Sequence, residues 1–84
     1  MSQHEPVVSN AVAQLADTLS CDAQAVNVVS VDEVEWSDSS LGCPKPGMMY
    51  MQVITPGYRV TLEHDGQRYT FHTDRSHRVI RCDR

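Results

Sequence analysis

Most side chains of this chain that could react or ligate fall in its middle and C-terminal half. They are Cys43 and Cys82, His64, His72 and His77, and the run Asp38-Ser39-Ser40-Leu41-Gly42-Cys43-Pro44-Lys45-Pro46-Gly47. Three kinds of chemistry could use them. The first is a disulfide. Cys43 and Cys82 are 39 positions apart, and a bridge would tie the central run to the chain end, contributing about 3–4 kcal/mol by restricting the unfolded ensemble. Spacing alone leaves the connectivity open; Cys21 at the end of a helical pattern reads as a small buried hydrophobe. The second is a metal site. Structural zinc draws on ligands paired roughly two to four residues apart, and no Cys-x-x-Cys or similar pair occurs, so no metal or other cofactor is expected. The third is a thiol nucleophile, Cys43 with His72 or His77 as base. A chain of 84 residues has little room for a pocket that excludes water, and no catalytic signature is present, so an enzyme is not expected.

The central run also has a plainer reading. Asp and Ser cap turns, glycine admits unusual dihedrals and two prolines stiffen the backbone. Trp36, Met48, Met49, Tyr50 and Met51 flank it, and such residues serve either a core or an adaptable contact surface. Alternation assigns Met49, Met51 and Val53 to a buried strand face. That leaves Trp36, Lys45, Met48 and Tyr50 as candidate contact residues for a partner.

The elements that must position these groups are legible in part. Val8, Ala11, Val12, Leu15, Ala16 and Leu19 recur at helical spacing, which predicts a helix over 6–19 with Pro6 in its first turn. Residues 1–5 are expected to be disordered. Val26 to Trp36 is valine-rich, with a phase slip at Asp32-Glu33 that predicts a bulged strand or two short ones. Met49 to Ile54 is a further candidate strand, ended by a Pro56-Gly57 turn. Asp65-Gly66 between alternating runs predicts a type I′ hairpin. Its register sets Leu62 against Tyr69 and Val60 against Phe71 on one face, and Glu63 against Arg68, Thr61 against Thr70 and Arg59 against His72 on the other. Arg78 to Cys82 is a last short strand. Together these predict a single small α+β domain over 1–84: one N-terminal helix packed on an antiparallel sheet of about four strands.

Composition narrows the function classes. Residues 1–38 carry seven acids and no Lys or Arg, whereas six arginines lie between Arg59 and Arg84, within a formal net charge of −4. The halves should attract, and acids interrupt the basic part, so nucleic acid is not an expected partner. No run approaches a membrane span and no export signal is visible, so the chain as it stands reads as untargeted and cytoplasmic.

The segments Asp38 to Gly47, Met48 to Asp74 and Arg78 to Cys82 resemble a group of small uncharacterised bacterial domains, over about residues 26–82. The resemblance implies no activity. It implies that cysteines matching Cys43 and Cys82 occur together, which favours their pairing, and that exported relatives exist. The segment Pro56 to Asp74 is also similar to bacterial relatives of potato inhibitor I and eglin. That similarity implies a reactive loop at Thr61, Leu62 and Glu63, with Leu62 entering a protease pocket and Arg68 bracing it. The hairpin register argues otherwise, because it buries Leu62. The order of helix, strand and Asp-Gly hairpin looks like PepSY-type domains, which bind or inhibit peptidases. The expected function is therefore a non-enzymatic module that binds another protein, a peptidase being one candidate. A structural accessory domain and a thiol or metal site around Cys43 are the alternatives.

Overall fold

The computed structural model describes residues 5–75 and 78–82. Helix α1 (Glu5–Leu19) precedes a short 3-10 turn (Ala23–Ala25) and four strands, β1 (Asn27–Trp36), β2 (Thr55–His64), β3 (Gln67–Asp74) and β4 (Val79–Arg81). The strands form one antiparallel meander in the order β1-β2-β3-β4. The chain is α+β, with its N-terminal helix packed on the sheet.

Helix α1 forms where the apolar spacing predicts it. The most deeply buried stripe is Val7, Ala11 and Leu15, four residues apart, flanked by Val8, Val12, Ala16 and Leu19. Val7 therefore belongs to a face that the helical spacing had started at Val8. The helix ends in a Schellman motif: Cys21 N donates to Ala16 O at 3.0 Å, Ser20 N donates to Asp17 O at 3.3 Å, and Ser20 takes a φ of 54°. Of the stretch expected to be disordered, residues 1–4 lie outside the described residues, while Glu5 opens the helix.

The hairpin has the predicted register at every pair, from Arg59 with His72 to His64 with Gln67, and continues to Gly57 with Asp74. Asp65 and Gly66 both have positive φ, 52° and 80°, as a type I′ turn requires. Tyr58, Val60, Leu62 and Phe71 face α1 and close the core with Val7, Ala11 and Leu15.

Three expectations are corrected. β1 is one continuous strand, and its irregularity falls between Val28 and Ser30, not at Asp32-Glu33. Residues Met49 to Ile54 are not a strand, and Pro56-Gly57 is not a turn but part of β2. The cause is pairing. β1 meets β2 directly, Trp36 opposite Thr55, and β3 occupies the other side of β2, so residues 37–54 become the connection and find no partner strand. Proline is tolerated at position 56 because pairing with β3 starts only at Gly57, leaving no ladder bond there to lose.

Candidate functional site

The connection 37–54 is built from successive turns. Ser40 N donates to Asp38 Oδ1 at 3.0 Å, and Ser40 Oγ donates to the same oxygen. Cys43 N then donates to Ser40 O at 3.1 Å across Leu41 and Gly42, whose φ values of 57° and 74° match a type I′ turn. Met48 N donates to Lys45 O at 3.2 Å across Pro46 and Gly47, with φ 80° at Gly47, the arrangement of a type II turn. Lys45 N donates to Tyr50 Oη at 3.0 Å, and Ser39 and Met51 are tied twice: Ser39 N to Met51 O, and Met51 N to Ser39 Oγ, both 2.9 Å. The loop thus has a shape of its own.

Two anchors hold it to the face of the sheet opposite α1. At one end, Trp36 stacks on His72 with ring centroids 4.4 Å apart, and its Nε1 donates to Thr73 O at 2.8 Å. Gly42 lies against the same indole, where a Cβ would come within 2.7 Å of Cζ3. His72 Nδ1 donates to Leu41 O at 2.7 Å, and Leu41 is fully buried. Burial holds the His72 imidazole below its ordinary value of 6.5; the Leu41 bond opposes that shift and Arg59 adds to it. At the other end, the Cys43 and Cys82 sulfurs lie at bonding distance, with Cα atoms 6.1 Å apart.

Between the loop and β4 runs an open groove of about 630 Å³. Lys45, Met48 and Tyr50, three of the residues singled out from the sequence, line it together with Arg78 and Ile80. Arg78 Nη1 donates to Ser39 O at 2.9 Å, which fixes the cation against the loop. Arg81 also borders the groove, but its guanidinium lies 4.9 Å over the Tyr69 ring, on the helix side of the sheet.

Two candidate contact residues lie elsewhere. Trp36 is only 6 % exposed and serves as the loop's anchor rather than as a surface for a partner. Leu62 is 0 % exposed within β2, paired with Tyr69, so it does not stand on an extended reactive loop. The connection also corrects a core assignment. Met49 is 96 % exposed, and Met51 and Val53 are exposed too, because the segment that was to bury them joins no sheet.

Arg78 and Ile80 are among the groove residues that sequence reasoning missed. A signal existed. Arg78, Ile80 and Cys82 alternate along one strand, so a contact between Cys82 and Cys43 carries Ile80 and Arg78 to the same face.

Among the described residues no group of three or more His, Cys, Asp or Glu side chains is placed to hold a metal ion. Cys21 Sγ is 4.0 Å from His64 Nδ1, but that nitrogen is 3.0 Å from Ala25 O, and a carbonyl can only accept. Its proton therefore points at Ala25, and it offers the thiol no base. Of the two bases considered for Cys43, His72 gives its Nδ1 proton to Leu41 O while the Cys43 sulfur lies at bonding distance from Cys82, and His77 lies outside the described residues.

No curated protein and no solved structure gives a match to this chain. One family model does match, over residues 8–82, a span that takes in most of the helix, all four strands and the groove. By that match the chain belongs to the family described as Domain of unknown function (DUF8738).

Proposed function

We propose that this domain is a non-enzymatic module that binds another protein through the connection 37–54 and the groove beside it. The observation that carries the reading is the exposure of Met48, Met49, Met51 and Ile54 on a segment that is held rather than loose. Exposed clustered apolar side chains are costly in water unless a partner covers them. A connection of this length within a small domain is also unusual unless it has a task. The turns, the Trp36 anchor and the Cys43–Cys82 contact hold much of this surface in place, which reduces the entropy lost on binding.

A peptidase remains a candidate partner, engaged by the 43–54 segment. Leu62 cannot serve, since its side chain is committed to the core. A thiol site around Cys43 would require the sulfur to be free of Cys82.

The test is selection of peptides from a random displayed library, followed by amide chemical-shift mapping on the labelled domain. Expected are ligands that perturb residues 43–54 and 78–82 and lose affinity on Met48→Asp and Tyr50→Ala. Failure to select any ligand, or perturbations confined to the helix face, would overturn the proposal.

A further inference from the structure

The charge of the groove points to the kind of partner, an inference that rests on the protein-binding reading and adds chemistry to it. The chain has a formal net charge of −4, yet no Asp or Glu is among the described residues that line the groove, whereas Lys45 and Arg78 are. An ion pair of Arg68 with Glu63, at 4.0 Å, lies at the far end of the hairpin and neutralises neither cation.

Arg78 is held by its side chain, Lys45 by its backbone alone. The Lys45 backbone is held by Tyr50 Oη, and its ammonium is at the surface. Arg78 spends Nη1 on Ser39 O, and its backbone N–H donates to Asp74 Oδ1 at 3.0 Å. A guanidinium has five N–H donors in a planar fork, so capacity remains for a carboxylate. Beside them the surface is apolar, with Ile80, Met48 and Pro46 in the same groove. An exposed cation next to an apolar wall selects a ligand that carries a negative charge close to an aliphatic or aromatic group.

We infer that the groove takes an acidic, extended peptide segment of a partner protein. A carboxylate pairs with Lys45 or Arg78, and a neighbouring apolar side chain rests on Ile80 and Met48. A second copy of this chain is the weaker occupant. Its acidic strand β1 would have to dock head to tail, a contact that builds rings or open chains rather than a closed pair.

The experiment uses the intact domain and three short labelled peptides in which leucine alternates with glutamate, glutamine or lysine. The glutamate peptide should bind saturably and shift the amides of residues 43–50 and 78–82. Its affinity should fall about tenfold in Lys45→Glu, less in Lys45→Gln, and further with added salt. Thermal midpoints of both variants check that they fold. Equal binding of the glutamine peptide would overturn the acidic partner and leave the protein-binding module standing. Absence of binding by every peptide, together with no ligand from the displayed library, would overturn both. Tighter binding of a single-stranded oligonucleotide at the same amides would overturn the inference in favour of a general polyanion site. Concentration-dependent self-association that Lys45→Glu abolishes would overturn it in favour of a second copy.

Discussion

At the scale of single residues, His72 makes a pH-dependent joint. Its imidazole sits under Trp36, donates to Leu41 O and is held below its ordinary value of 6.5, first by burial. When the folded value is the lower one, the unfolded chain binds the proton more readily, and stability rises with pH through that interval. Stability is therefore expected to be complete above pH 6.5 and to fall as the pH drops from there through the folded value. Urea denaturation at a series of pH values checks this, and His72→Gln should flatten that part of the profile. Leu62 and Met49 make a second contrast. Both are large apolar residues in runs that alternate, but Leu62 is 0 % and Met49 96 % exposed. Leu62→Ala should cost about 2–5 kcal/mol, and Met49→Ser should stay within about 0.5 kcal/mol. Equal losses in denaturant midpoints would contradict that difference in burial. Across a protease panel, any inhibition should not depend on Leu62 beyond its effect on folding.

At the scale of elements, the hairpin was legible to the last pair because Asp65-Gly66 and the two faces of β2 and β3 are local signals that agree. The helix was legible for the same reason. Its end carries an avoidable strain: Ser20 occupies the left-handed position of the Schellman motif, where a Cβ costs energy. Ser20→Gly should gain about 0.5–1 kcal/mol, read by chemical denaturation. Residues 49–54 were misread because alternation shows only that a segment could be a strand; it takes a free neighbouring edge to make it one. Gly57 was misread as a turn residue for a similar reason. Its role is close approach: a Cβ there would lie 1.8 Å from Thr73 O, the oxygen that also accepts from Trp36 Nε1. Gly57→Ala should destabilise by at least about 2 kcal/mol and weaken the near-ultraviolet signal of Trp36. An unchanged spectrum and midpoint would contradict the packing.

At the scale of the whole molecule, the sheet is covered on both faces by different means. Helix α1 supplies a packed core on one side, and the 37–54 connection, stapled by Trp36 and by Cys43 to Cys82, covers part of the other. Intact mass without reductant is expected to lie two hydrogens below the reduced mass. The Cys43→Ser, Cys82→Ser double variant should lose about 3–4 kcal/mol, and it should weaken peptide binding, because one wall of the groove is Cys43 itself. The charge asymmetry of the sequence does not become a ladder of ion pairs among the described residues. Arg78, for one, gives a guanidinium N–H to a backbone oxygen. What the sequence determined by itself is what short-range physics determines: helical spacing, the Asp-Gly turn, strand alternation in the hairpin, and the turn chemistry of Asp38 to Gly47. The tertiary structure alone decided which apolar residues outside the helix and the hairpin are core, since Trp36 is buried only because Gly42 and His72 meet it from distant positions. It also decided that Lys45, Met48 and Tyr50 share a groove with Arg78 and Ile80, because that juxtaposition exists only once β4 has paired with β3 and brought Cys82 to Cys43.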